Sequence, residues 1–395
     1  MMLSNGFNSF RSGIRIPLLT WGAVYFMFWC YRSLFSIIGE VVIMRLTPVS
    51  DTRSYQATEI LQLLTLIKEE STTAGTIGLQ AFATTTTKAI GAVFGTISFH
   101  DPILVNIGFQ SIGFIGLLAM LRALEPGQRK IILPIMMFPS LTVWTSIASK
   151  EALLTCMLGI MCAHIIKMYK NTDKIKWYHF ACVFFLYAFK PHYLPSLFFI
   201  LSITYTAKYF RQKATISILA LLFSFFLLFL FRKDISELAN WIDFALTSMG
   251  GNSVRPRLLV EEYDVFVKAP YGMLLSFFGP MPSEVSKIIH VFTFVESSVI
   301  VGVFLVIIVY RLPSLPFYNA VLSFGAVFWI IFLNYPLGAT NAGTAIRYRS
   351  GYILLVILSI VFILERRQYV NWTRGLRQRL VPLREYLRSK GRLVG

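Results

Sequence analysis

Apolar residues along most of this chain run together instead of alternating with polar ones. Between Ile131 and Ile166 lie 36 residues, of which only Lys150 and Glu151 are charged. As one helix this run would extend about 54 Å at about 1.5 Å per residue, well beyond a hydrocarbon core about 30 Å thick. The pattern therefore predicts two helices that turn at Lys150–Glu151, with the two charges at a membrane face. Comparable runs predict ten spans, at 17–44, 103–121, 131–149, 152–167, 177–190, 192–208, 214–231, 288–310, 316–334 and 350–365. The first follows Arg11 and Arg15, is too long for a signal-peptide core and lacks a clear small-residue cleavage site, so it reads as an uncleaved span.

Two polar intervals are long. In 45–102, Ile60, Leu61, Leu63, Leu64 and Leu66 suggest an interfacial helix, followed by a Thr-rich and small-residue stretch that reads as re-entrant or membrane-parallel. The second, 232–287, holds "NSVRPRLLVEEYD" and "FFGPMPSEVSK". The expected fold is all-α: a polytopic transmembrane helix bundle in one domain, 1–365, followed by a basic tail, 366–395. No internal repeat of useful strength is present.

Composition agrees: 56% of the 395 residues are hydrophobic, 14% are charged, and the mean hydropathy is +0.65. The net charge of +18 raises the question of nucleic acid, and its distribution answers it. Basic residues collect in alternate loops ("RALEPGQRK", "KMYKNTDKIK", "KYFRQK", "RLP") and in the tail, where the acids are Glu125, Asp173, Glu365 and Glu385. That is the positive-inside pattern, which sets both termini in the cytoplasm and makes the charge a topology signal. The tail reads as lying against anionic lipid, and "NWT" at 371–373 falls on the wrong side to be a glycosylation acceptor. Cys30, Cys156, Cys162 and Cys182 all lie in predicted spans, so no disulfide framework and no metal cluster is expected.

With this topology, four outer elements carry ionisable groups: Asp51 after the first span, Lys150–Glu151, the turn "FKPHYLP" with Lys190 and His192, and "NYPLGATNAGTAIRYRSG" with Arg347 and Arg349. Charges near hydrocarbon are costly and need a partner, water or a ligand. Arg347 and Arg349, two apart, face the same way on an extended segment and suit clamping one anion; Arg255 and Arg257 repeat that spacing around Pro256. Each site also has a structural explanation: Lys150–Glu151 and Lys190 as hairpin ends, His192 as a packing residue, Asp51 as a turn or cap. Glu296 falls inside a span and needs a polar partner. Together these groups suit an anionic lipid head group, with Arg and Lys on phosphate and a carboxylate taking a proton from an attacking hydroxyl.

At these residues the chain resembles bacterial membrane proteins of surface-polysaccharide assembly, both GT-C-like glycosyltransferases and Wzy-type repeat-unit polymerases. The likeness rests on "SDTRSYQATEIL", "FPSLTVWTSIASKEALL", "FKPHYLP" and "TNAGTAIRYRSG" and spans roughly 45–351. It implies an inner-membrane glycosyltransferase acting at the periplasmic face on polyprenyl-(pyro)phosphate-linked glycans. Asp51, Lys150, Glu151 and His192 would be catalytic, and Lys190, Arg255, Arg257, Arg347 and Arg349 would bind substrate. Partners would be the lipid-linked donor and acceptor, membrane lipids and a chain-length regulator, not nucleic acid. Arg53 stands where an Asp-x-Asp pattern would place its second acid, so no cofactor or metal is expected. A single-sugar transferase, a transporter or flippase of lipid-linked glycans and a non-catalytic scaffold are the alternatives.

Overall fold

The computed structural model describes residues 20–46, 50–60, 62, 79–210, 212–248, 254–285 and 288–365. The basic tail, Arg11 and Arg15, Leu61 and the 63–78 part of the proposed interfacial segment lie outside them. Among the described residues the chain is helical, with one isolated antiparallel bridge between Val254 and Asn341. Among the described residues, seven helices are long and apolar enough to cross a membrane: Trp21–Ile43, Pro102–Ala123, Lys150–Tyr169, Lys213–Leu230, His290–Ser314, Phe317–Ala339 and Ala342–Leu364. This is a multi-pass membrane protein.

In chain order the helices are α1 (Trp21–Ile38), α2 (Ser50–Ala57), α3 (Leu79–Ile97), α4 (Pro102–Ala123), α5 (Pro126–Met136), α6 (Pro139–Trp144), α7 (Lys150–Tyr169), α8 (Trp177–Phe189), α9 (Leu194–Tyr209), α10 (Lys213–Leu230), α11 (Arg232–Ser248), α12 (Asp264–Val267), α13 (Ala269–Phe278), α14 (Ile288–Arg311), α15 (Phe317–Ala339) and α16 (Ala342–Leu364). The expected span at 131–149 is replaced by α5, α6 and a non-helical stretch, Thr145–Ser149. Pro139 accounts for part of this, since proline disfavours helix in the residue before it. The proposed re-entrant stretch is the helix α3. The helices α8 and α9, 13 and 16 residues long, reach only about 20 and 24 Å at 1.5 Å per residue.

The chain divides into two compact units, Met1–Leu118 with Thr142–Cys156, and Ala119–Leu141 with Met157–Gly395. The first is organised around Thr145–Ser149. This backbone is non-helical and buried, so its peptide groups need side-chain partners. Arg32 donates from Nη2 to the Thr145 carbonyl (3.0 Å) and hydroxyl (2.8 Å), and Ser36 Oγ donates to the Ser146 carbonyl at 2.8 Å. The Ala148 N–H donates to Asn106 Oδ1 at 2.8 Å, and Ser149 Oγ donates to the Trp144 carbonyl at 2.9 Å. Glycines allow the approach: a Cβ at Gly39 would lie 2.4 Å from Ile147 Cγ2, and one at Gly116 would lie 2.5 Å from the Thr155 carbonyl oxygen.

The second unit is built on α15 and α16, both largely buried. Lipid tails are as apolar as the helix surfaces, so helices associate through close packing and interhelical hydrogen bonds. Asn319 Nδ2 donates to the Phe362 carbonyl at 2.9 Å, Ser323 Oγ to the Ser359 carbonyl at 3.1 Å and Ser196 Oγ to the Ala326 carbonyl at 3.0 Å. Gly325 takes the ring of Phe199, and Gly272 takes that of Tyr335. After the span α10, the helix α11 exposes Leu238, Trp241 and Phe244, residues spaced three apart on one face.

If the 145–149 segment depends on these side chains, Asn106→Leu will lower stability by about 1–3 kcal/mol, because it leaves the buried Ala148 N–H unpaired. Thermal unfolding in detergent against the exposed Thr96→Val control measures this; equal melting temperatures would sink the assignment.

Candidate functional site

In the first unit, α2 is a helix whose two faces differ. Thr52, Tyr55 and Gln56 are buried, whereas Asp51 and Arg53 are exposed. The buried side is anchored by Glu40, which sits in a π-helical turn (Gly39–Ile43) continuing α1. π-turns are rare and recur at functional positions. Glu40 Oε1 pairs with Arg53 Nη1 at 2.7 Å, and its Oε2 accepts from Gln56 (2.8 Å) and Asn106 (3.2 Å). With both oxygens engaged, Glu40 acts as an anchor that presents Asp51 outward. Lys150 and Glu151 open α7; Lys150 Nζ donates to Thr84 Oγ1 at 2.8 Å, and Glu151 is buried.

The second unit holds the other predicted residues. Pro191 ends α8, and the turn Pro191–Tyr193 leads into α9. There the Lys190 ammonium lies over the Tyr348 ring, 3.7 Å from its centroid, and the His192 ring meets the same tyrosine at 6.4 Å. Burial, reinforced by the Lys190 charge and opposed by Asn334, holds the His192 imidazole well below its ordinary range. The ring is therefore neutral, a hydrogen-bonding group that adds no charge. Two of the four predicted turns thus meet, the "FKPHYLP" turn and the "TNAGTAIRYRSG" segment.

That second segment is not extended. Asn341 caps α16 by accepting from the Gly343 and Thr344 N–H groups at 2.9 and 3.2 Å, so Arg347 and Arg349 are helical. Residues two apart on a helix point to nearly opposite sides, which overturns the expected clamp. Arg347 is half-buried, beside Tyr348. Arg349 is fully buried: it donates to the Phe277 carbonyl at 3.1 Å, to Ser297 Oγ and to Ser140 Oγ at 3.4 Å. Ser140 in turn donates its N–H (3.0 Å) and hydroxyl (2.6 Å) to Glu296, the polar partner expected for that acid. Ser140, on the short helix α6, thus links two opposite charges, Glu296 and Arg349, that lie in helices of spanning length.

Arg255 and Arg257 also have protein partners. Arg255 forks onto Glu284, with Nη2 to Oε2 at 2.8 Å and Nε to Oε1, while Nη1 reaches the carbonyls of Gly338 (2.9 Å) and Ala339 (3.2 Å) at the end of α15. A cation on the last carbonyls of a helix is favourable. Arg257 pairs with Asp243 at 3.4 Å and donates to the Leu259 carbonyl at 3.1 Å. Both frame the 254–285 segment and do not form an anion fork. Burial raises the Asp243 carboxyl above its ordinary range despite Arg257. At Glu284 burial also pulls upward, but Arg255 outweighs it and holds the carboxyl below its ordinary value of 4.5.

Glu40, Tyr348 and Ser140 are the polar residues that sequence reasoning missed. No protein-family model matches the chain, and no curated protein or solved structure matches it.

Because the folded Glu284 carboxyl is depressed, its contribution to stability is fully present above the unfolded value of 4.5 and is lost as pH falls through the lower folded value. Thermal unfolding below pH 4.5 should therefore steepen in wild type relative to Glu284→Gln. Arg255→Lys should not restore the fork, because lysine cannot bond bidentately; a lysine variant as stable as wild type would contradict this geometry.

Proposed function

We propose that the protein is a membrane glycosyltransferase acting on polyprenyl-(pyro)phosphate-linked glycans, in the manner of a repeat-unit polymerase, at the membrane face where the Lys190 and Arg347 elements emerge. The single observation that carries this reading is the meeting of Lys190 and His192 with Tyr348, next to Arg347. A lysine held on an aromatic face is stabilised by about 0.5–2 kcal/mol, an interaction that a phosphate, which forms charge-assisted hydrogen bonds, competes with readily. In this reading Lys190 and Arg347 hold the lipid-linked (pyro)phosphate and stabilise charge on the leaving group. His192 hydrogen-bonds a sugar or phosphate oxygen.

Asp51, exposed on α2, is the base that the resemblance implies, with Lys150 and Glu151 in its own unit. Arg255, Arg257 and Arg349 enter as frame, not as ligands. The GT-C-like arrangement, the periplasmic site and the cytoplasmic termini belong to this proposal, as do the chain-length regulator and the lipid-linked donor and acceptor as partners.

A second reading is favoured by a specific observation. Arg32, Glu296 and Arg349 lie within helices long enough to cross a membrane, and charges at such depth are a mark of transport paths. A transporter of lipid-linked glycans would use the same anion-binding groups without a base.

Complementation of surface polysaccharide in a deletion strain separates these readings. At matched membrane levels, Asp51→Asn, Lys150→Ala, Lys190→Ala and Arg347→Ala should each cut long chains at least tenfold while leaving single repeat units on their carrier. Repeat units trapped on the cytoplasmic side would favour transport. Normal ladders from all four variants would overturn the site.

A further inference from the structure

The connection between α7 and α8 gathers a cluster that the proposed reaction does not use. His164 lies in the penultimate turn of α7, Asp173 in the loop and His179 in the first turn of α8. His164 Nδ1 and Asp173 Oδ2 are 2.9 Å apart, and the two imidazole rings lie in contact, their centroids separated by 3.8 Å. One donor atom from each of the three residues falls within 4.8 Å of the others. Both histidines are buried, and Asp173 is partly exposed.

We propose that His164, Asp173 and His179 form a binding site for a divalent transition-metal ion of the zinc class, stapling the end of α7 to the start of α8. The chemistry of the donors supports this. Two buried imidazoles in contact cannot both carry a proton without like charges meeting in a poorly screened setting, so at least one presents a lone pair. His179 shows this directly, since its Nδ1 accepts the Lys176 backbone N–H at 3.0 Å.

Asp173 supplies the anionic donor. Burial pulls its carboxyl upward, but the His164 hydrogen bond, the Lys174 N–H and nearby cations outweigh it and hold it below the ordinary carboxylate range. Two donors bonded at about 2.0–2.1 Å to a tetrahedral ion sit about 3.3 Å apart. The 2.9 Å spacing of His164 and Asp173 is close to that, so an ion replaces the shared proton with a small movement. Imidazole with one carboxylate selects zinc, cobalt, nickel or copper over magnesium or calcium.

Two features oppose tight binding and define its character. The ion must displace the Lys176 N–H from His179, and Lys167 and Lys176 add positive charge near the rings. Binding therefore couples to the cap of α8. The loop residues Asn171 and Thr172 are exposed beside Asp173, which leaves a route for the ion and for a water ligand.

The test is a cobalt titration of the detergent-purified full chain, freed of any affinity tag and followed by the visible d–d absorption of bound Co²⁺. One saturating equivalent, displaced by zinc, is expected. Asp173→Asn, which keeps a hydrogen bond to His164, and His179→Gln should each weaken binding at least tenfold with unchanged size-exclusion elution. Lys176→Ala should bind at least as tightly as wild type. Zinc should also raise the melting temperature of wild type but not of Asp173→Asn. Unsaturable cobalt uptake, or equal affinity in wild type and both ligand variants, would overturn the proposal and leave a proton-bridged triad.

Discussion

Unpaired peptide groups cannot be left in an apolar interior, and that constraint organises the first unit. Five residues, Thr145–Ser149, abandon the helix in a buried setting. The Thr145 and Ser146 carbonyls and the Ala148 N–H are met by Arg32, Ser36 and Asn106. An unsatisfied group there costs several kcal/mol in hydrocarbon, more than the net gain of any one hydrogen bond in water. The polar residues of α1 and α4 thus have a structural origin before they have any functional one. They also fix where α7 begins, and so where Lys150 and Glu151 stand. Asn106 serves both purposes, since it accepts from Ala148 and donates to Glu40, the anchor of α2. The placement of Asp51 and that of Lys150 therefore share one carboxamide.

Charge in the second unit meets two distinct fates. Arg255 and Glu284 neutralise each other at the end of α15, with every guanidinium nitrogen bonded to protein. Arg349 and Glu296 do the same inside the helices through Ser140. Lys190 lies on the face of an aromatic ring. Such a contact is weaker than a charge-assisted hydrogen bond to a phosphate. That difference in kind, more than position, separates the frame from the groups offered as ligand-binding.

Much of the helical architecture was legible because long apolar runs have few alternatives to helices in a membrane. The failures have physical causes. The run at 131–149 is apolar throughout, and hydropathy carries no information on whether backbone is paired by its own helix or by side chains brought from α1 and α4. Pro134 and Pro139 were visible cues, though the first sits inside α5 without ending it. Asn341 before Ala-Gly-Thr is an ordinary helix-capping signal. Without that cap the reading placed Arg347 and Arg349 on an extended segment. The Arg255–Glu284 fork joins residues 29 apart, and the His164, Asp173 and His179 cluster has spacings of 9 and 6. Neither matches a local periodicity, so only the fold brings them together.

The depth of Glu296 and Arg349 ties fold to function in a way that limits what each charge can do. Glu296 stands eight residues into α14 and Arg349 seven into α16, which places each about 10–12 Å along its helix. Those helices are separated in sequence by α15 alone, so they run in the same direction if all three cross the membrane, and the charges then lie at matching depth. Because helix association in lipid lacks a hydrophobic drive, a charge pair at matched depth acts as a register mark that selects one neighbour and one vertical alignment. Removing Glu296 leaves the buried Arg349 without that acid, at a cost of about 3–5 kcal/mol. Loss of activity on changing Arg349 would therefore report on alignment before chemistry. The groups that can be altered without disturbing the register are those at the turns, Lys190 and His192 among them, and it is there that binding and catalysis can be separated from assembly.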